Sequence, residues 1–192
     1  MFVETETTPN PASLKFLPGR SVMLSGTREF VSPEAAEASP LASAIFDTGE
    51  VVNVFFGADF VTVTAAPGSD WSALKPQVVA SLLDHFVSEA PLFNDDDASA
   101  GAALASGDLI VEDQADDAET IAAINELLET RVRPAVAGDG GDIAYRGFRD
   151  GVVYLTLQGA CAGCPSSTAT LKHGIESLLK HYVPEVTEVR AA

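Results

Sequence analysis

Cys161 and Cys164 are the only thiols in a chain of 192 residues, and they stand two residues apart in Gln158-Gly159-Ala160-Cys161-Ala162-Gly163-Cys164-Pro165-Ser166-Ser167. Sulfurs at this C-x-x-C spacing can reach one soft metal ion or two neighbouring irons. So close a pair makes a poor disulfide framework for a chain of this length, which leaves metal or redox chemistry. The small residues around the cysteines predict uncrowded thiols on a surface loop. Pro165 suits the first position of a helix, whose N-terminus offers N–H groups and the positive end of a dipole. That setting predicts thiols shifted toward thiolate, the form that binds metal.

Iron-sulfur clusters commonly take four protein thiolates, and one copy of this chain supplies two. Two copies meeting at their loops would supply Cys161 and Cys164 twice and enclose one cluster at a shared interface. Such a cluster would also be removable, because parting the chains or admitting a client thiol opens the site. Two other uses of the pair stay open. A dithiol-disulfide oxidoreductase places C-x-x-C before a helix, but a thioredoxin-like fold needs further strands and a helix after the motif, and only 28 residues follow Cys164. Zinc held between two chains by four cysteines would satisfy a tetrahedral preference equally well. His173 does not join a mononuclear site, because it lies about 13 Å along the helix from Cys164 at ~1.5 Å per residue. Both His173 and His181 read as solvated or partner-facing helix-surface residues.

The elements that must hold this loop are legible around it. Asp116, with Glu119 at the capping-box position, opens a helix bearing Ile121, Ile124, Leu128 and Val132. A strand from Ile143 to Arg149, the two-residue Asp150-Gly151 turn and a strand from Val152 to Leu157 follow, with Val153, Leu155 and Leu157 on one face. After the cysteines, Leu171, Ile175, Leu178 and Tyr182 line one side of a helix ending before Pro184, and Val186 to Arg190 closes the sheet. Gly138-Asp139-Gly140-Gly141-Asp142 lacks the Lys-Ser/Thr ending of a phosphate loop and carries two carboxylates, so it reads as a helix-to-strand turn.

Residues 1–88 read as a first small α/β unit. Leu14–Leu17 and Ser21–Leu24 flank Pro18-Gly19 as one expected strand pair, and Val51–Phe56 and Phe60–Thr64 form another across Gly57-Ala58-Asp59. A short helix is expected from Pro40 to Phe46. A longer one, from Ser69 to Val87, is capped by Asp70 and striped by Leu74, Val78, Leu82 and Phe86, with Trp71 packing in its first turn. Residues 89–118, with Asn94-Asp95-Asp96-Asp97 and no Lys or Arg, read as a flexible acidic linker. Residues 119–192 form the second unit. The fold class is therefore α+β, two small α/β-type domains joined by that linker, the second ordered helix-strand-strand-helix-strand.

The formal charge of -17 argues against nucleic acid or an anionic lipid surface as partner and leaves proteins or cations. No apolar stretch is long enough for a membrane-spanning helix. The first residues have the character of neither a secretory signal nor a transit peptide, which points to the cytoplasm or to a mature mitochondrial matrix form. No Ser/His/Asp or HExxH arrangement suggests hydrolytic catalysis.

Arg133-Pro134-Ala135-Val136, then Asp139-Gly140-Gly141-Asp142-Ile143, then Gly159 through Ser167 resemble the NifU C-terminal domain. The first half resembles the Nfu N-terminal domain in Glu6 through Phe16, in Phe55 through Val63, and in Trp71 with Lys75-Pro76. The resemblance covers both units. It implies assembly or delivery of a 4Fe-4S cluster held between two chains by Cys161 and Cys164, and no catalytic turnover; whether a 2Fe-2S cluster is also held stays open. It also implies apo iron-sulfur client proteins and upstream cluster-assembly proteins as partners, a cluster-bound homodimer, and a partner-interaction role for the first unit.

Overall fold

A computed structural model of the chain describes residues 2–94, 117–162 and 165–192, without the side chains of 165–167. Most of the expected linker, the expected cap Asp116, and Gly163 and Cys164 lie outside the described residues. The chain divides into two units, Met1–Ala103 and Leu104–Ala192.

In the first unit, β1 (Glu4–Thr7), β2 (Ser13–Leu17), β3 (Arg28–Phe30), β4 (Val51–Phe56) and β5 (Val61–Ala65) form an antiparallel sheet in the order β1-β2-β5-β4-β3. Period-two alternation puts Val61, Val63 and Ala65 of β5 into the core with Val54 and Phe56 of β4 and Phe16 of β2. Helices α1 (Pro33–Ala36) and α2 (Pro40–Phe46) each begin with a proline after a serine whose hydroxyl accepts a backbone N–H, from Ala35 to Ser32 and from Ala42 to Ser39. In α3 (Trp71–Val87) the Asp70 carboxylate accepts the Ser72 N–H at 2.8 Å, and Leu74, Val78 and Leu82 are fully buried with Phe86 packed beside them. The Trp71 ring stands 6.4 Å from that of Phe16, the first-turn packing expected of it.

The expected pairing of Leu14–Leu17 with Ser21–Leu24 does not form. β2 pairs with β1 and β5 instead. The Val22 and Met23 N–H groups both donate to the Ala58 carbonyl, at 2.8 and 3.2 Å, and their side chains are buried while Leu24 is 99% exposed. This apolar run plugs the core from a loop, which imitates a strand in sequence. Beyond α3, Leu92 and Phe93 pack on the same core, and the Asn94 N–H donates to the Ala38 carbonyl at 3.0 Å.

The second unit runs α4 (Ala118–Leu127), a π-helical turn (Leu128–Val132), α5 (Arg133–Gly138), β6 (Gly141–Arg149), β7 (Val152–Gly159), α6 (Pro165–Tyr182) and β8 (Glu188–Ala191). Pro134 has no N–H to donate to the preceding turn, and the ladder loosens there, the Arg133 N–H bonding the Leu128 carbonyl five residues back. The sheet order is β6-β7-β8, antiparallel then parallel, with α6 as the crossover. Asp150 and Gly151 both take positive φ, 51° and 79°, as the tight two-residue turn between β6 and β7 requires.

The core gathers Ile124, Leu128, Val132 and Val136 with Ile143, Phe148, Val153, Leu155, Ile175, Leu179 and Val189. Tyr182, expected on the buried side of α6, is 49% exposed. It closes the helix where the chain turns toward β8, so Val183 and Val186 fill the core while its ring stays at the rim, 5.1 Å from the Arg131 guanidinium.

Candidate functional site

Cys161 follows the end of β7, and its position is set by the antiparallel pairing of β6 with β7. Gly141 is the register partner of Gly159, and the Ala160 N–H donates to the Gly140 carbonyl at 3.1 Å. The Thr168 hydroxyl donates to the Cys161 carbonyl at 3.0 Å and ties the loop to the second turn of α6. A Cβ placed on Gly141 would lie 2.7 Å from the Cys161 sulfur and 2.5 Å from the Gln158 carbonyl oxygen. The thiol is therefore packed directly on the backbone of the Gly140-Gly141 turn.

This corrects the expectation of an uncrowded surface thiol. Cys161 is 5% exposed and belongs to the apolar core. The expectation of a lowered thiol pKa fails at Cys161 as well. Burial, then the negative charges of Asp139 and Asp142, push it up to about 12. Whatever the dipole of α6 contributes, desolvation and two carboxylates outweigh it. Cys164, the other half of the pair, lies outside the described residues.

The turn behind the thiol is braced. Asp142 is buried, accepts the Ile143 N–H at 2.8 Å, and lies 3.4 Å from the Arg133 Nε. The same guanidinium donates from Nε and Nη2 to the Ile143 carbonyl at 3.3 and 3.2 Å, and its Nη1 pairs with Glu129 at 2.9 Å. Residues 138–142 form the helix-to-strand turn read from the sequence, but that reading missed their role as the wall against Cys161. The available signal was glycine at the start of a strand, which marks a close approach of other atoms. His173 and His181 are both exposed, as expected of helix-surface residues.

The first unit buries polar groups of a different kind. Lys15 is 3.2 Å from Glu6, with its ammonium 4.9 Å from the Phe60 ring centre. His85, near the end of α3, is buried, and burial followed by the Arg20 charge lowers its pKa. Among the described residues no group of three or more His, Cys, Asp or Glu is arranged to hold a metal ion, and no helix is long and apolar enough to cross a membrane.

Comparison with known proteins gives two family matches, the NifU-like domain over residues 124–190 and the scaffold protein Nfu/NifU N terminal over residues 3–89. NifU-like protein 4, mitochondrial, of Arabidopsis thaliana is 51% identical over 191 residues, covering 98% of this chain and 65% of that protein. The human NFU1 iron-sulfur cluster scaffold homolog, mitochondrial, is 47% identical over 190 residues, covering 98% of this chain and 71% of that protein. The chain thus spans about two thirds of the length of these relatives. A solution structure of a NifU-like protein from Saccharomyces cerevisiae aligns with a TM-score of 0.45 at 24% identity, over 50% of this chain and 86% of that one.

Proposed function

The chain belongs to the Nfu/NifU family, and from that premise we propose that it is an iron-sulfur cluster scaffold and carrier. In this reading Cys161 and Cys164 of two protomers hold one 4Fe-4S cluster, received from upstream assembly proteins and passed to apo client proteins. The observation that carries the reading is the ligand count inside the matched NifU-like region: two thiols per chain for a cargo that commonly takes four. A 2Fe-2S form would use the same donors.

The environment of Cys161 suits a carrier. With its pKa near 12 the unloaded thiol stays protonated, which protects it from oxidation and disulfide exchange, and metal binding releases the proton as the sulfur becomes a ligand. The same protonation weighs against a dithiol oxidoreductase, whose attacking sulfur must be a thiolate near ambient pH. The proposal assigns no catalytic turnover. It gives partner recognition to the first unit, cluster binding to residues 119–192, and the role of tether to the acidic stretch between them. The mitochondrial designation of the relatives favours the matrix over the cytoplasm as its compartment.

Anaerobic reconstitution with iron and sulfide tests this, with absorption, iron and sulfide content and solution mass followed together in wild type and Cys161→Ser. The expected result is broad charge-transfer absorption at one cluster per two chains, lost in the variant. A colourless monomer that cycles its dithiol against a reductase would replace the carrier by the oxidoreductase.

A further inference from the structure

We infer that the Gly140-Gly141 turn, braced by Arg133 and Asp142, is part of the cluster site: it is the positioning device that fixes where the Cys161 sulfur stands. Its functional consequence rests on the reading of Cys161 as a cluster ligand, while its geometric content stands on the fold alone.

The turn touches the thiol at the position where a side chain is missing. A Cβ on Gly141 would come within 2.7 Å of the sulfur, 3.2 Å of the Cys161 Cβ and 2.5 Å of the Gln158 carbonyl oxygen. The last contact is backbone, so relief cannot come from rotating the thiol alone. Either the Gly141–Gly159 ladder pair opens or the cysteine loop moves. The turn is also held from its far side. Arg133, the first residue of α5 after the π-helical turn, spans from the helical run to the first residues of β6, contacting Asp142 and the Ile143 carbonyl. The Ala160 N–H then transmits the position of Gly140 to the residue preceding Cys161. A ligand whose backing is fixed in this way keeps its geometry as metal arrives and leaves, and groups behind a ligand commonly change metal retention by about 10- to 100-fold.

The test uses the full chain. In a Cys164→Ser background only Cys161 can be alkylated. There Gly141→Ala is expected to speed alkylation by about tenfold or more and to remove hydrogen-exchange protection from the Ala160 amide, both signs of local opening. Ile124→Val, a core change that leaves the turn intact, should move neither. With both cysteines present, the reconstituted cluster of Gly141→Ala is expected to pass to a chelator at least about tenfold faster than in wild type.

A folded Gly141→Ala that alkylates Cys161 and protects Ala160 as wild type does would overturn the inference. If Gly141→Ala does not fold, Arg133→Gln takes its place with the same direction and smaller size, Arg133→Lys restoring part of it, and an unchanged alkylation rate in Arg133→Gln overturns the inference equally. Faster alkylation in a protein that takes up no cluster even as wild type would sink the ligand reading and leave the positioning role standing. Unchanged alkylation in a protein that does load would do the reverse.

Discussion

Two buried ionisable side chains, one in each unit, are treated in opposite ways. In the first, Lys15 is 8% exposed and meets Glu6 at 3.2 Å, a charge answered by the same fold that buries it. In the second, Cys161 is buried next to Asp139 and Asp142, carboxylates that penalise its ionised form. A paired charge asks for nothing more. A thiol held neutral beside two carboxylates is in a setting that an arriving cation relieves, since metal would supply the opposite charge that the fold withholds. Burial alone thus does not fix how a side chain is charged; the sign of its neighbours does.

The widest test of that contrast is to damage one core and watch the other. Phe56 is fully buried with its ring 5.1 Å from Phe30, so Phe56→Ala should cost the first unit about 3–5 kcal/mol. Trp71 is the only tryptophan, so urea unfolding followed by its fluorescence reads that unit. Cys161 should stay slow to alkylate in the same variant. Rapid alkylation would show that the first unit's core also protects the thiol, and the contrast would collapse.

Next in size is the alkaline limb of the second unit. The folded thiol titrates near 12 against an ordinary value of 9.0, so the folded state holds its proton more tightly than the unfolded state. This contribution is complete below pH 9.0 and drains as pH climbs toward 12, by up to about 4 kcal/mol at ~1.4 kcal/mol per pH unit. Melting of the metal-free protein from about pH 8 to about pH 11 should show the loss, and Cys161→Ala should flatten it. A variant as steep as wild type would mean that other groups set the limb.

The first unit should fail on the other side of neutrality, and by less. Burial and Arg20 lower the His85 pKa, while Asp84 opposes them. The folded state therefore takes up a proton less readily than the unfolded state. The stability this confers is present above the unfolded histidine pKa and shrinks as pH falls below it. His85→Gln should flatten the part of the acid sensitivity of the Trp71 transition that lies above the carboxylate range, and an unchanged slope there would place that response elsewhere.

What could be read in advance follows the same division. The β4–β5 hairpin, α3 with its Asp70 cap, and the Asp150-Gly151 turn declare themselves through local periodicity and turn chemistry. Strand β1 is Glu-Thr-Glu-Thr at a sheet edge, with no apolar alternation to betray it, and β3 is three residues long. The C-x-x-C pair was legible because its chemistry is local. The burial of Cys161 was not, because Asp139, Gly141 and Asp142 precede it by about twenty residues in the chain and reach it only through the β6–β7 register.

The smallest contrast lies at the two helix starts that open the main helical run of each unit, and it can be settled with single substitutions. At α3 the Asp70 carboxylate accepts both the Ser72 N–H, at 2.8 Å, and the Ser72 hydroxyl, at 2.7 Å, and these bonds lower its pKa. At α4 the N-cap is Asp117, whose side chain makes no cap hydrogen bond. The sequence predicts the second cap one residue earlier, at Asp116; of the two observed caps, Asp70 and Asp117, only Asp70 makes a side-chain cap bond. Asp70→Ala should therefore lower the melting temperature of the first unit by a few degrees, and Asp70→Asn, which keeps an acceptor, by less. Asp117→Ala should leave the second unit within the scatter of ordinary surface changes. Equal losses at the two positions would mean that the charge at the helix dipole, which both aspartates share, matters more than the bond that only Asp70 makes.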